Sequence, residues 1–251
     1  MIVPQPPPAG RRRPARKILL PMVLFAGALL SLRAVCSNRD ALREIVQDEC
    51  VVHWQQQHTA APCERVAEGY AVLADRKGGA HFLLIPTRTL TGIESPEVLE
   101  SDAPNYFDAA WRARDRVAAV VGHDLPRSAV GLALNPKHAR SQDQLHIHIE
   151  CLRADVARSL QTASAGITAA WSPIEVAGWH FDALRIMGED LGASNPLRLL
   201  ADRSPAAASR LEDYSLVVAG MQFKEGPGFV VLAGTTLPGE LLLDSSCAVA
   251  R

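Results

Sequence analysis

The stretch SQDQLHIHIEC, residues 141–151, alternates polar and apolar side chains and carries two histidines two positions apart. Successive side chains of a β-strand point to opposite faces of the sheet. The alternation therefore predicts a strand with Gln144, His146, His148 and Glu150 on one face and an apolar, β-branched face opposite. We expect the apolar face to be buried and the imidazoles to lie on a polar, accessible face. A strand that merely shows two histidines to solvent has the same pattern, so the spacing alone leaves that alternative open.

Composition restricts the class of protein. The chain has 251 residues, of which 48% are hydrophobic and 21% charged, enough to bury a sizeable core in one large domain or two small ones. The formal net charge of −1 argues against a generally basic surface for nucleic acid. The sequence therefore predicts a globular protein without a nucleic-acid partner.

The N-terminus has the pattern of a targeting segment. The basic cluster RRRPARK (11–17) precedes the uncharged, mostly apolar stretch 18–32. This stretch is shorter than the roughly 20 residues that span a bilayer and suits a cleaved signal, but Arg33 can snorkel and extend it to Cys36. No clean Ala-x-Ala site follows, which favours an uncleaved anchor. Because positively charged flanks of membrane segments stay in the cytoplasm, we predict a bacterial inner-membrane protein with a single-pass anchor and its remainder in the periplasm.

Cysteine usage agrees with an oxidising compartment. Besides Cys36 there are four cysteines, Cys50, Cys63, Cys151 and Cys247. The first two bracket a short polar loop, so we expect them to pair and to leave the other two for each other. Four cysteines permit three connectivities, and free buried thiols remain an alternative.

Hydrophobic periodicity gives the order of elements. A short helix over 38–50 is followed by a hairpin over 70–87 with a glycine turn, a helix over about 105–121, a strand over 128–136 and the histidine strand. This β-β-α-β-β order predicts an α+β fold in which a helix covers an antiparallel sheet. A second hairpin, 210–234, opens with an acidic pair and a tyrosine much as the first does, and so indicates a degenerate second copy of the module in the C-terminal extension.

The organisation follows from these elements. We predict a basic cytoplasmic tail and an anchor or signal segment, then an N-terminal helix with a disulfide loop, a catalytic module, and a C-terminal extension that packs on the module; the ranges are 1–17, 18–36, 38–64, 65–152 and 153–251.

The histidine strand suits phosphorus chemistry. A neutral imidazole is a capable nucleophile near neutral pH, and its attack on phosphorus splits pyrophosphate cleavage into two steps through a phosphorylated histidine. Nearby donors would hold the phosphate oxygens. The candidates are His148, Gln144, Ser141, Gln142 and Asn135. Such a scheme requires no metal or other cofactor.

At this point the sequence resembles a known superfamily. The segment QLHIHI (144–149) is similar to the His-φ-His-φ-His-φ-φ signature of the histidine-triad superfamily, HFLLIPTR (81–88) to its strand ending in Ile-Pro, and GLALNP (131–136) to its Asn-bearing strand. Together with TGIESP (91–96), CLRADV (151–156) and the N-terminal segment, these motifs resemble the CDP-diacylglycerol pyrophosphatase family.

The resemblance implies roles for particular residues. His146 matches the central histidine and would be the nucleophile that takes the CMP moiety, and His148 matches the third and would bind phosphate or orient its neighbour. Gln144 departs from the pattern at the first position, where it can donate a hydrogen bond but cannot titrate. The implied reaction is hydrolysis of CDP-diacylglycerol, a lipid-linked nucleotide held in a membrane, to CMP and phosphatidate.

Three alternatives stay open. A metal-dependent phosphohydrolase could use His146, His148 and Glu150 as ligands, with His180 completing the site. A membrane-anchored module could bind nucleotide or lipid without turnover. The departure from the motif at Gln144 is compatible with this alternative, and the presence of His146 argues against it. A transferase would accept an alcohol in place of water. The sequence does not indicate the oligomeric state.

Overall fold

The computed structural model describes residues 38–203 and 205–250, together with Met1 and Gln5. The body from Ser37 onward forms one compact unit. Its α-helices are α1 (Ala41–Glu44), α2 (Val51–Gln57), α3 (Tyr106–Arg112), α4 (Asp115–Val121), α5 (Ala154–Ala163), α6 (Pro196–Ala201) and α7 (Pro205–Ala208). A π-helical segment, Ile45–Cys50, joins α1 to α2, so the N-terminal helix continues past the first cysteine instead of ending there.

Ten strands form one sheet in the described residues. They are β1 (Arg65–Ala67), β2 (Tyr70–Ala74), β3 (Phe82–Pro86), β4 (Val130–Leu134), β5 (Ile147–Leu152), β6 (Ser172–Val176), β7 (Trp179–Met187), β8 (Ser215–Phe223), β9 (Gly226–Gly234) and β10 (Leu243–Asp244). The order is β1-β2-β3-β5-β4-β8-β9-β7-β6, and every neighbouring pair is antiparallel. Strand β10 pairs with the end of β5. The predicted α+β class with an antiparallel sheet is therefore what the structure shows.

The two halves of the sheet share one strand order. Outward from the β4–β8 pair, the order is β4-β5-β3-β2 on one side and β8-β9-β7-β6 on the other. The hairpin β8–β9 thus corresponds to β4–β5, and not to β2–β3 as its opening tyrosine suggested. Val230 and Leu232 of β9 lie on the sheet face that His148 and Glu150 occupy on β5.

The helix predicted over 105–121 is broken into α3 and α4. Ala113 donates its N–H to the carbonyls of both Ala109 and Ala110, a tightened turn. The Arg114 guanidinium donates to the Trp111 carbonyl and lies 4.3 Å from the Trp111 ring centroid. These contacts stabilise the break, while Trp111, Phe107 and Tyr106 fill the main core on that face of the sheet.

The opposite face of the sheet carries two separate apolar clusters. The N-terminal helix packs Val46 and Cys50 on β1–β3, and α5 packs Val156 and Leu160 on the C-terminal strands. Between these clusters β5 presents His148. Burial of each apolar cluster stabilises the fold, and the gap between them leaves room for a polar site.

The two faces of the histidine stretch are as predicted, but their exposure is not. The apolar set Leu145, Ile147, Ile149 and Cys151 lies in the main core. The polar set is buried too, with exposed fractions of 0% for Gln144, 8% for His146, 4% for His148 and 6% for Glu150. The expected accessible face is absent because the N-terminal helix and the C-terminal segment 235–245 both cover β5.

Both predicted disulfides are confirmed. Cys50 is bonded to Cys63 and Cys151 to Cys247, at sequence separations of 13 and 96. The first ties the N-terminal helix to the loop before β1. The second ties β5 to the last turn of the described chain.

The predicted membrane anchor needs correction. No helix in residues 38–203 or 205–250 is long and apolar enough to cross a bilayer. These helices are short and each covers one face of a sheet. The prediction of an inner-membrane protein with a single-pass anchor and a periplasmic remainder is therefore wrong for the part that the structure describes. The segment on which it rested, 18–36, lies outside the described residues, as does the tail 1–17 apart from Met1 and Gln5.

Candidate functional site

A cavity of about 570 Å³ lies between the N-terminal helix and the histidine strand. Its apolar wall comes from the helix and from β2 and β3, and its polar end from the turn after β2, the segment after β4 and the C-terminal segment. It is lined by Ala41, Leu42, Ile45, Leu73, Ala74, Asp75, Arg76, Lys77, Leu83, Asn135, Ala139, Ser141, Gln142, His146, His148 and Glu240. The cavity thus brings together every residue predicted for catalysis or substrate binding except Gln144, and it does not include Glu150 or His180 of the alternative metal site.

The His146 ring is held in one tautomer. Its Nδ1 lies 2.7 Å from the backbone carbonyl oxygen of Gln144. A carbonyl can only accept, so Nδ1 carries the hydrogen and a neutral ring keeps its lone pair on Nε2. Burial lowers the pKa of His146, which favours that neutral form. The ring therefore has the protonation state that a nucleophile needs.

The tautomer of His148 follows from Asn135. Asn135 Oδ1 accepts the backbone N–H of Glu240 at 3.1 Å, so its amide nitrogen faces His148 Nε2 at 3.4 Å. His148 therefore accepts at Nε2 and donates from Nδ1 to His81 Nε2, 2.9 Å away. Burial, and next the nearby His146 and His81, hold the pKa of His148 well below its usual value.

His81 and Glu150 complete a buried chain of polar groups. Glu150 Oε1 lies 3.1 Å from His81 Nε2. Burial, with Glu240 as the next largest cause, raises the pKa of Glu150 to about 8, so near neutral pH most of this carboxyl is protonated. Burial also lowers the pKa of His81. The single lone pair of His81 Nε2 faces both His148 Nδ1–H and the Glu150 carboxyl, and the three side chains form a buried cluster of neutral groups.

Sequence reasoning gave no role to His81. The pair Phe82↔Ile149 in the β3–β5 ladder places the preceding residue, His81, opposite Glu150. The alternation of HFLLIP, which puts position 81 on the face of Leu83, was the available signal. What it could not show is which strand lies beside that face.

The same three groups could hold a metal ion. Ligand atoms of His81, His148 and Glu150 all lie within 4.8 Å of one another, two from alternate positions of one strand and one from its neighbour. The set predicted from sequence contained His146 in place of His81. His180, suggested as a further ligand, is exposed on β7. A cation would have to displace the protons on His148 Nδ1 and Glu150.

Gln144 lies behind the cavity and bonds only to backbone. Its amide nitrogen donates to the carbonyls of Pro86 and Arg88, each at 2.9 Å, and its Oε1 accepts the N–H of Leu90 at 3.3 Å. These bonds fix the loop after β3 against the start of the histidine strand. The predicted contact of Gln144 with phosphate stays a prediction.

The rim of the cavity is fixed by polar contacts to the N-terminal helix. Gln142 accepts the N–H of Leu42 and donates to the carbonyl of Asn38, each at 3.0 Å. Arg39 forms two hydrogen bonds, of 2.6 and 2.9 Å, to Asp143. The Arg39 guanidinium lowers the pKa of Asp143 to about 2. The helix that supplies the apolar wall is thereby attached to the histidine stretch.

Comparison with known proteins agrees with these features. A family model described as CDP-diacylglycerol pyrophosphatase matches residues 37–251. The chain belongs to the CDP-diacylglycerol pyrophosphatase family. A CDP-diacylglycerol pyrophosphatase of Yersinia pestis is 37% identical over 214 residues, which is 84% of this chain and 82% of that relative. The resemblance to the CDP-diacylglycerol pyrophosphatase family drawn from the motifs is thus confirmed, and the broader histidine-triad likeness stays a prediction.

Proposed function

We propose that the protein hydrolyses the pyrophosphate bond of CDP-diacylglycerol to CMP and phosphatidate through a CMP adduct on His146. The observation that carries this proposal is the hydrogen bond from His146 Nδ1 to the Gln144 carbonyl, which leaves the Nε2 lone pair on a ring that lines the cavity. Membership of the CDP-diacylglycerol pyrophosphatase family supports the substrate class.

In the first step His146 Nε2 attacks the phosphorus of the CMP moiety. A P–N bond forms, the bond from that phosphorus to the bridging oxygen breaks, and phosphatidate leaves with the electron pair. Arg76 and Lys77 line the same cavity and supply positive charge for the phosphate oxygens. Asn135 and Ser141, from the segment after β4, line the cavity as well. This step needs no cofactor, and we propose turnover without one.

The cavity suits a ligand with polar and apolar parts. Leu42, Ile45, Leu73 and Leu83 form a continuous apolar wall beside the histidines. A lipid-linked nucleotide has both characters. Because the diacylglycerol part resides in a bilayer, the enzyme would meet this substrate at a lipid surface.

We also propose that the two halves of the sheet are degenerate copies of a histidine-triad-like unit. The shared strand order supports this. The second half lacks the histidines, since on the same face of the sheet β9 carries Val230 and Leu232, which pack into the cluster with Leu160.

A metal-dependent phosphohydrolase is the second candidate, favoured by the closeness of His81, His148 and Glu150. In it the metal would activate water, and His146 would only assist binding.

One experiment separates the two candidates. Residues 37–251 are incubated with CDP-diacylglycerol in detergent micelles with EDTA, and CMP release is followed for the wild type, His146→Ala and, as matched control, His180→Ala. We expect release by the wild type and His180→Ala but not by His146→Ala, with a CMP adduct trapped by alkaline quench and seen by mass spectrometry. Full activity of His146→Ala would refute the nucleophile. Loss in EDTA, with recovery in zinc that His81→Ala abolishes, would favour the metal site.

A further inference from the structure

Glu240 belongs to the C-terminal half of the chain but lies at the histidines. It occupies a 3₁₀ turn, Gly239–Leu242, between β9 and β10. Its Oε2 lies 3.6 Å from His148 Nε2 and 3.6 Å from Lys77 Nζ, and it lines the same cavity as His146. The ring centroids of His146 and His148 are 5.1 Å apart, so the carboxylate lies at the ring next to the proposed nucleophile.

The backbone around Glu240 is held on three sides. Its own N–H donates to Asn135, and the carbonyls of Leu241 and Leu242 accept from Arg153 at 2.9 Å each. A Cβ on Gly239 would lie 3.0 Å from Val217 Cγ2, so only glycine lets the turn approach β8 this closely. The side chain itself keeps 27% of its surface exposed, so water can reach the carboxylate.

The other polar groups at this end of the cavity already have bonding partners. In the adduct His146 carries CMP, and both ring nitrogens of His148 have hydrogen-bond partners. Glu150 faces His81, and Asp75 accepts the N–H of Lys77 at 2.7 Å and lies 3.8 Å from His81 Nδ1. Asp75 and Glu240 both line the cavity, and Glu240 is the one whose carboxylate lies 3.6 Å from His148 Nε2.

We propose that Glu240 is the general base of the second step, an inference that rests on the proposed function. Glu240 takes a proton from a water molecule as the water oxygen attacks the phosphorus of the adduct. An O–P bond forms, the P–N bond breaks, and its electron pair returns to His146 Nε2. CMP leaves and the Glu240 proton passes to solvent. Lys77 balances the charge of the carboxylate beside the phosphate.

The test is Glu240→Gln, which keeps the size of the side chain and the backbone bond to Asn135. We expect kcat for CMP release to fall about 100-fold or more, while the first step still forms the adduct. The variant should therefore accumulate CMP–enzyme, measured after alkaline quench with substrate labelled in the CMP phosphate. Fluoride needs no deprotonation and should discharge the adduct as the fluorinated nucleotide. Glu240→Asp should recover part of kcat, and Glu225→Gln, an exposed change at the β8–β9 turn, should match the wild type.

The possible outcomes distinguish a failure of the proposed general base from a failure of the proposed function. A fall in kcat without adduct accumulation and without fluoride rescue, while His146→Ala stays inactive, overturns the base and leaves the nucleophile in place. Unchanged kcat in Glu240→Gln also overturns it. Absence of adduct in every variant, with activity in His146→Ala, overturns the proposed function itself.

Discussion

At the scale of single residues, the site depends on which nitrogen carries a hydrogen. Alternation in the sequence was enough to place Gln144, His146, His148 and Glu150 on one face, and the family resemblance proposed His146 as the nucleophile. The protonation states could not be read in this way, because they depend on a backbone carbonyl at Gln144 and on His81, which another strand supplies. The motif therefore places the side chains, and hydrogen bonds that form only in the folded chain determine their protonation states.

The pH dependence of the reaction follows from the two buried imidazoles. Burial lowers the pKa of His146 and of His148, so both stay neutral below the usual histidine range. We expect the acid limb of kcat/KM to lie below pH 6.5. Initial rates from pH 5 to 8, with circular dichroism to monitor folding, measure it. A half-maximal rate at or above pH 6.5 would contradict a burial-shifted nucleophile.

Glu150 links folding to pH. Its folded pKa of about 8 lies above the ordinary value of 4.5, so the protonated acid contributes stability that is fully present below pH 4.5 and is lost as pH rises to 8. Glu150→Gln cannot ionise. We expect it to exceed the wild type in free energy of unfolding at pH 8 by on the order of 3 kcal/mol, and to match it near pH 4.5.

Urea unfolding at the two pH values, with disulfides intact, tests the link. The exposed substitution Glu225→Gln should show no such pH-dependent difference. If Glu150→Gln and the wild type differ equally at pH 4.5 and pH 8, the carboxyl does not titrate as its burial requires.

At the scale of elements, the sequence predicted most strands and helices but not what covers them. Periodicity placed the hairpin 70–87, the strand after 128 and the β8–β9 hairpin close to their observed bounds. It missed the break between α3 and α4, where Arg114 binds the carbonyl and the ring of Trp111, contacts that hydrophobic periodicity does not report. It also predicted an exposed polar face on β5, because the segment that covers this face comes from nearly 100 residues further along the chain, as the separation of 96 in the second disulfide shows.

The two disulfides should differ in effect because they close loops of different length. Removing the cross-link between Cys151 and Cys247 as a double alanine variant should cost about 2 kcal/mol more stability than removing the one between Cys50 and Cys63, on chain entropy alone. We also expect it to lower kcat more, since the longer cross-link holds the segment that carries Glu240. Thermal unfolding and CMP release on both double variants provide the comparison; equal losses would show that the segment needs no tether.

At the scale of the whole molecule, the sheet is continuous across the boundary that the sequence suggested. Residues 65–152 and 153–251 were predicted as a module and an extension packed on it, yet β4 pairs with β8 inside one sheet. Strand β4 is buried and apolar throughout, and β8 is buried except at Gln222 and apolar from Leu216 to Met221. Such strands carry no alternation to indicate a partner, so their pairing could not be foreseen.

The catalytic module should therefore not fold alone. A fragment of residues 37–152 would expose the edge of β4 and the core side chains that meet β8. We expect this fragment to aggregate or to lack a cooperative thermal transition, in contrast to residues 37–251. Size-exclusion chromatography and calorimetry test this prediction. A monodisperse fragment with a sharp thermal transition would contradict the view that β4 and β8 share one core.

The unequal halves of the sheet also predict how many active sites one polypeptide has. Where the first half offers imidazoles to a cavity, the second carries aliphatic side chains on the same face of the sheet, packed under α5. The described residues therefore hold one cluster of histidines at a cavity, and we expect one reactive centre per chain. Active-site titration should reach one equivalent per polypeptide, and an inhibitor that mimics the nucleotide should saturate at the same ratio, however the chains assemble.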